Sequence, residues 1–155
     1  MLIDIPTKFF LVKGKGEGST FLNAFDAALL DSGVGNTNLV KVSSILPPFC
    51  EEVSQISIPE GSLVPVAYAY LVSDKVGEII SAAVAVGIPK ERSKAGLIME
   101  VSGKERKEEV EKKAIEMIKE GMEKRKIKEY KIVSLSIEHR VQQIGAVFAG
   151  VVLWR

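Results

Sequence analysis

Long apolar segments separated by charged ones predict a chain that is rich in β-strands. Residues 63–72 and 79–88 are apolar at both parities and rich in Val, Ile and Ala, which is typical of strands buried on both faces. Residues 131–141 alternate between apolar and polar side chains, as a half-buried strand does. Further strands are predicted over residues 9–12, 38–42, 95–102 and 144–154.

Two segments have the three- and four-residue apolar spacing of helices. Residues 20–32 follow a possible cap at Ser19 or Thr20 and end at Gly33 and Gly35. The predicted apolar face contains Phe21, Leu22, Phe25, Ala28 and Leu29, with Asp26 at its border. Residues 104–126 form the second predicted helix, whose many Lys and Glu side chains we interpret as a solvated face.

Three glycines, Gly14, Gly16 and Gly18, stand between the first strand and the first helix. They predict a turn that needs positive φ angles. A phosphate-binding loop is the alternative, because backbone N–H groups at a helix start attract anions. The spacing matches neither GxxxxGK[ST] nor GxGxxG, so the simple turn is favoured over nucleotide binding.

The mixed order of these elements predicts an α+β layered fold in which helices cover one or two sheets. The chain has 155 residues and 46% hydrophobic content, which fits a single globular domain over residues 1–155.

Composition narrows the possible partners. Twenty-one Lys and Arg against 20 Asp and Glu give a net charge of +1, so we expect neither nucleic acid nor a membrane surface as a partner. One cysteine, Cys50, and one histidine, His139, argue against a zinc site, so no metal is predicted. The first ten residues lack the features of a signal peptide, and the longest uncharged run, 141–154, is short for a membrane helix. We therefore expect a soluble, cytoplasmic protein.

Several side chains are candidates for chemistry, each with a plainer alternative. Glu100 ends an apolar run, where burial can raise a carboxyl pKa toward the range useful for proton donation, or it is a surface residue at a strand end. Asp26 is a substrate ligand or a solvated helix carboxylate. His139 lies at an apolar strand position and is expected in the core or an interface. Cys50 precedes two glutamates and is expected to be unreactive.

The hydroxyls of Ser43 and Ser44 end a strand, and Pro47 and Pro48 follow shortly after. A polar strand end is the simplest interpretation. A serine hydrolase is disfavoured because neither a GxSxG elbow nor a triad is evident. A serine can also attack the carbonyl of the residue before it, which gives an ester; elimination and hydrolysis then leave a pyruvoyl group.

Six blocks of sequence resemble the archaeal pyruvoyl-dependent arginine decarboxylases, and the similarity covers residues 9–155. The blocks are NAFDAALL (23–30), GVGNTNL (33–39), VSSILPP (42–48), GSLVPVAY (61–68), GEIISAA (77–83) and GLIME (96–100). The resemblance implies a carbon–carbon lyase that converts L-arginine to agmatine and CO2. It also implies a four-layer α-β-β-α sandwich with mixed sheets, and a homotrimer of cleaved protomers with active sites between neighbouring subunits.

The resemblance further implies specific roles for residues. The chain is expected to cut itself between Ser43 and Ser44 into a β chain, 1–43, and an α chain, 44–155, and Ser44 becomes the covalent pyruvoyl cofactor. Asn38 is expected to assist cleavage and line the pocket, and Glu100 to donate a proton after decarboxylation. Substrate-binding roles are implied for Asp26, which faces the guanidinium group, and for Gly35 and Ser43.

Three alternatives remain open at this stage. The substrate could be another amino acid or S-adenosylmethionine. The chain could be an unprocessed paralogue with a binding or structural role. Nucleotide binding at the glycine-rich segment is a weaker third alternative.

Overall fold

The structure is a computed structural model that describes residues 4–155. Residues 1–3 belong to the segment inspected for a signal peptide and lie outside the described residues. All the predicted helices and strands are present. The structure also contains two short strands that were not predicted, β3 and β4. In chain order the elements are β1 (Lys8–Glu17), α1 (Phe21–Ser32), β2 (Asn38–Lys41), β3 (Ile45–Leu46), β4 (Glu51–Glu52), β5 (Leu63–Ser73), β6 (Ile79–Pro89), β7 (Gly96–Gly103), α2 (Lys107–Lys124), β8 (Tyr130–Arg140) and β9 (Gly145–Trp154).

The strands form two sheets. Sheet A has the order β2-β5-β9-β1-β4, and sheet B has the order β3-β7-β6-β8. Sheet A is mixed, because β2 and β4 run parallel to their neighbours while β9 runs antiparallel to both of its own. Sheet B is antiparallel throughout. The predicted mixed sheets are therefore one mixed sheet and one antiparallel sheet.

Three hydrophobic clusters define four layers. One cluster lies between the sheets, a second joins α1 to the outer face of sheet A, and a third joins α2 to the outer face of sheet B. Strand β6 illustrates the alternation, since Ile80 and Val84 face sheet A while Ala83 and Ala85 face α2. The α-β-β-α sandwich is thereby confirmed.

Small residues on one face of β6 bring α2 close to sheet B. A Cβ atom at Gly87 would lie 2.5 Å from the Met122 Cε atom and 2.7 Å from the Ile118 Cγ2 atom. Met122 and Ile118 belong to the buried face of α2. The short side chains on β6 therefore set how closely this helix packs.

The predicted glycine turn is wrong. Gly14 and Gly16 lie inside β1, and neither they nor Gly18 has a positive φ angle. They are small because α1 crosses directly over them: a Cβ atom would lie 2.0 Å from the Ala28 carbonyl oxygen at Gly14 and 2.5 Å from the Ala27 Cβ atom at Gly16. The glycines serve helix packing, so the feature that suggested a phosphate-binding loop has a different cause.

Helix α1 has the predicted ends but a different buried face. The Thr20 hydroxyl accepts a hydrogen bond from the Asn23 N–H group at 3.1 Å, and Gly33 ends the helix with a φ of 87°. The buried residues are Ala24, Ala28 and Ser32, because only small side chains fit against the glycines of β1. Two residues of the predicted apolar face, Phe21 and Leu22, are exposed instead.

Neither helix within residues 4–155 combines the length and the apolar character needed to cross a membrane.

Candidate active site

The predicted cleavage site lies where the chain passes from one sheet to the other. Strand β2 belongs to sheet A and β3 to sheet B, and only residues 42–44, the crossover segment, separate them. The Val42 N–H group donates to the Val66 carbonyl in sheet A at 3.1 Å, whereas the Ser44 carbonyl accepts from the Ile98 N–H group in sheet B at 2.7 Å. The Ser43–Ser44 peptide bond is therefore held from both sides, by a different sheet on each.

The two prolines after the crossover segment shape the end of β3. Pro47 and Pro48 have no N–H group to donate, which limits β3 to two residues. A tight turn follows, in which the Cys50 N–H group donates to the Pro47 carbonyl and Phe49 has a φ of 61°. The Arg92 guanidinium donates to the Cys50 carbonyl and ties this turn to the β6–β7 connection.

Glu100 lies beside the crossover segment. It is on β7, opposite Val84 of β6 and two residues beyond Ile98, so its side chain shares the face of sheet B that looks toward sheet A. The side chain is 32% exposed, and its Oε1 atom lies 3.1 Å from the Nζ atom of Lys41. The Glu100 carboxylate and the Ser43–Ser44 peptide bond therefore lie at the same corner of the sandwich, where the crossover segment passes from sheet A to sheet B.

Lys41 is a member of this corner that the sequence did not indicate. Its Nζ atom donates to the Tyr68 carbonyl at 2.8 Å and lies 4.3 Å from the centre of the Tyr68 ring, besides its contact with Glu100. In the sequence Lys41 is one lysine among many. Only its position three residues before Ser44 could have drawn attention to it.

Asn38 does not reach Ser44 within one chain. It begins β2, whose far end leads to the crossover segment, and three residues of strand alone span about 10 Å. Its N–H group donates to the Ser62 carbonyl at 2.8 Å and its Nδ2 atom to the Gly61 carbonyl at 3.2 Å. The side chain thus contacts the loop before β5.

Asp26 is likewise apart from Ser44 and Glu100. It is exposed on α1, on the surface turned away from sheet A, with the exposed Leu22 and Leu30 four residues to either side. Gly35 packs against this helix, since a Cβ atom there would lie 2.7 Å from the Leu30 Cα atom. Asp26 and Gly35 therefore lie on the α1 side of the protein. Asn38 alternates with Leu39, which packs against α1, so its side chain leaves the opposite face of sheet A at the start of β2, and Glu100 points into the space between the sheets.

Two clefts of about 460 and 480 Å³ lie elsewhere on the surface. The first is lined by residues of the β6–β7 and α2–β8 connections, including Arg92 and Tyr130. The second lies between β1 and the start of α2, with Lys13 and Arg106 in its walls. Ser44 and Glu100 line neither of these two clefts.

His139, on β8 of sheet B, contacts the last residue of β1 in sheet A and so joins the two sheets. Its Nε2 atom lies 2.5 Å from the Oε2 atom of Glu17, and Glu17 also accepts hydrogen bonds from the Gln142 and Gln143 N–H groups at 3.2 and 2.7 Å. Partial burial raises the pKa of Glu17, but the hydrogen bonds from His139 and the two backbone groups outweigh it, so the pKa is lowered overall. The histidine is a structural contact away from Ser44.

Cys50 is fully buried beneath the turn that follows Pro48. Burial raises the pKa of the thiol to about 11, although the nearby Arg92 charge opposes the shift. The thiol therefore stays protonated at neutral pH and is a poor nucleophile.

Comparison with known proteins identifies this architecture. A sequence model of the pyruvoyl-dependent arginine decarboxylase family matches residues 8–154. Proteins named pyruvoyl-dependent arginine decarboxylase are similar over nearly their whole length: one from Methanocaldococcus jannaschii is 50% identical, over 97% of this chain and 91% of its own. The Methanococcus aeolicus protein is 52% identical, over 96% and 90%, and the Thermococcus sibiricus protein is 44% identical, over 96% of both chains.

The fold and these matches define the chain as a decarboxylase, a carbon–carbon lyase that works with a covalent pyruvoyl group. It belongs to the pyruvoyl-dependent arginine decarboxylase family, which confirms the resemblance found in the sequence.

Proposed function

We propose that this chain converts L-arginine to agmatine and CO2 after cutting itself between Ser43 and Ser44. One observation carries the proposal: in a member of this family, the serine pair spans the gap between the two sheets, and Glu100 lies beside it. If the serine pair were only a polar strand end, it would need neither the attachment to both sheets nor a carboxylate beside it.

The self-cleavage uses only the atoms of the crossover segment and one water molecule. The Ser44 hydroxyl attacks the Ser43 carbonyl and the peptide N–C bond breaks, which turns the peptide into an ester. Elimination then releases Ser43 as a carboxylate and leaves residue 44 as dehydroalanine, and water converts that into a pyruvoyl group and ammonia. The Val42 N–H group donates to sheet A and the Ser44 carbonyl accepts from sheet B; these two hydrogen bonds hold the reacting bond in place, which favours an intramolecular step.

The two products of this cut stay joined without a covalent link. Residues 1–43 contain β1, α1 and β2, and residues 44–155 contain the remaining elements. Strand β1 pairs with β9 along its whole length, from Lys8 opposite Trp154 to Glu17 opposite Gly145. The cleavage therefore breaks one peptide bond and leaves the core packed.

The residues near Ser44 fit a pyruvoyl group at that position. When present, the ketone acts as an electron sink for the electrons released as CO2 leaves. Glu100 supplies the proton to the former α-carbon, because it is the carboxyl group beside the crossover segment. Ser43 lies at the newly formed end of the β chain and contacts the bound amino acid.

The complete site needs two chains. Within one chain, Ser44 and Glu100 form one half-site at the corner between the sheets. Asp26 and Gly35 on the α1 side, together with Asn38 at the start of β2, form the other half-site. A homotrimer joins the first half-site of one subunit to the second half-site of its neighbour, as a cyclic assembly allows. The exposed apolar residues Leu22 and Leu30 next to Asp26 support an interface there.

Asp26 sets the substrate preference in this arrangement. A carboxylate pairs with a guanidinium group through two parallel hydrogen bonds, which fixes both the charge and the length of the substrate. Other amino acids and S-adenosylmethionine lack that planar donor group. Arginine is therefore the proposed substrate.

A cytoplasmic location stays a prediction.

The deciding experiment combines denaturing mass spectrometry with a decarboxylase assay. The purified wild-type protein is expected as two chains, residues 1–43 and 44–155, the larger starting with a carbonyl that borohydride reduces. Release of CO2 is then measured with arginine, lysine, ornithine and S-adenosylmethionine. Ser44→Ala should give a single uncut chain without the carbonyl and without activity.

Ser93→Ala is the matched control, because Ser93 is an exposed loop serine far from the crossover segment in sequence. It should cleave and turn over as the wild type does. Two chains from Ser44→Ala would exclude Ser44 as the cofactor precursor. A single, uncut wild-type chain would instead favour the unprocessed paralogue, and activity with a substrate other than arginine would exclude the role of Asp26.

A further inference from the structure

Lys41 makes its contacts at the point where β2 leaves sheet A. Strand β2 pairs in parallel with β5 up to Lys41 opposite Val66, and the Val42 N–H group makes the last ladder bond. If the ladder continued, the Ser44 N–H group would donate to the Tyr68 carbonyl. The chain turns away to sheet B instead, and the Lys41 Nζ atom donates to that carbonyl at 2.8 Å.

The same ammonium group reaches across to sheet B. Its Nζ atom lies 3.1 Å from the Glu100 Oε1 atom, and the Tyr68 ring lies on another side at 4.3 Å. A carbonyl, an aromatic ring and a carboxylate together satisfy a cation from three directions. The ammonium is therefore held by sheet A and in turn holds the carboxylate that projects from sheet B.

We propose that Lys41 is a positioning residue that holds the Glu100 carboxyl group beside the residue-44 carbonyl during turnover. This inference rests on the proposed function, since it assigns Lys41 to the same site. After cleavage Lys41 belongs to the β chain and Glu100 to the α chain, so their ion pair joins the two product chains next to the reacting atoms.

A contribution to stability alone does not account for the arrangement. The Lys41 side chain is 51% exposed, and ion pairs at that exposure add about 0–1 kcal/mol to stability. By contrast, a proton donor displaced by about 1 Å costs up to about 100-fold in rate. The expected effect of losing Lys41 therefore falls on turnover.

The test uses full-length Lys41→Met, which keeps most of the length of the side chain and removes its charge. Turnover of arginine is measured per mole of pyruvoyl carbonyl. We expect kcat to fall about 10- to 100-fold with KM changed less than twofold, because Lys41 contacts Glu100 and not the substrate guanidinium. Lys41→Arg, which retains the charge, should recover a large part of kcat.

The matched control is Lys119→Met. Lys119 forms an ion pair with Glu116 on α2 at 3.2 Å, with a side chain 54% exposed, so its ion pair matches that of Lys41 in length and in exposure of the lysine. Its kcat should equal that of the wild type. A similar loss of kcat in both variants would mean that removing any surface ion pair slows turnover equally, and it would overturn the proposal.

A double-mutant cycle gives the sharpest outcome. If Lys41 acts through Glu100, the double variant Lys41→Met/Glu100→Gln loses no more kcat than Glu100→Gln alone. The proposal would be overturned if the kcat losses of the two single variants multiply in the double variant. It would also be overturned by an unchanged kcat in Lys41→Met, by a change confined to KM, or by a Lys41→Met chain that stays uncut while Lys41→Arg matures. Wild-type protein that is uncut or inactive with arginine marks failure of the proposed function instead.

Discussion

At the scale of single residues, the Glu17–His139 contact explains why a lone histidine sits on an apolar strand face. His139 belongs to β8 of sheet B and Glu17 to β1 of sheet A, so the contact closes one end of the sandwich. Gly145 lies against both, since a Cβ atom there would be 2.4 Å from the Glu17 Oε2 atom. Four donors and acceptors thus converge where the β8–β9 connection begins.

Replacing this carboxylate should lower stability in a pH-dependent way. The pKa of Glu17 is lower in the folded protein than in the unfolded chain, so its contribution is present at neutral pH and disappears as the pH falls through the folded pKa. Glu17→Gln should therefore reduce the free energy of unfolding by about 2 kcal/mol at pH 7 and by less at acidic pH. Urea unfolding at several pH values measures both.

Glu129→Gln is the control, since Glu129 is 74% exposed in its ion pair with Lys90. Its change should stay within about 0.5 kcal/mol. An equal loss at pH 7 and at acidic pH for Glu17→Gln would show that the charge of Glu17 contributes nothing.

At the scale of elements, the close contact between α1 and β1 explains why the glycine pattern predicted a turn wrongly. Gly14, Gly16 and Gly18 together form a groove on sheet A, and Ala24 and Ala28 of the helix lie over it. Because both surfaces lack long side chains, the helix backbone approaches the strand closely. The larger side chains of α1 then remain near the rim or in solvent, and this is where Asp26 is found.

Gly16→Ala should separate α1 from sheet A. The added Cβ atom would lie 2.5 Å from the Ala27 Cβ atom and 2.8 Å from the Ala28 nitrogen, and backbone must move to relieve this overlap. We expect a loss of about 3 kcal/mol in the free energy of unfolding, measured by thermal or urea denaturation. Lys15→Ala, at the exposed position between the two strand glycines, should change it by less than about 0.5 kcal/mol. Equal values for the two variants would refute the packing role.

At the scale of the whole molecule, the proposed separation of the two half-sites predicts that activity depends on the assembly. Asp26 lies on the α1 side of the sandwich and Glu100 on the face of sheet B that looks toward sheet A, so sheet A lies between them. Each interface of a cyclic trimer would pair one half-site from each neighbour.

Mixing two inactive variants should restore activity. In trimers formed by equal co-expression of Asp26→Asn and Glu100→Gln chains, about one interface in four receives an intact half-site from each neighbour. Activity should recover to about a quarter of the wild-type value, while each variant alone stays low. A mass in solution of three times 16.9 kDa would accompany it. No recovery, despite mixed trimers, would place the site within one chain.

The sequence by itself determined the elements, the layered fold class and the family. Apolar patterns with periods of 2 and 3.6 residues located both helices and every strand of more than two residues, although α1 buries a different face from the predicted one. The serine pair and its surrounding blocks indicated self-cleavage, because that chemistry depends on adjacent residues. Local order along the chain contains this information.

The tertiary structure alone decided which distant residues meet. The sequence predicts a turn at Gly14 and Gly16, but in the structure α1 crosses over them. No pattern in the sequence indicates Lys41, which the order of the sheets places beside Glu100. The separation of Asp26 from Ser44 likewise follows from the layers. Strand order and register bring together residues far apart in sequence, and the periodicity of a single segment carries no information about either.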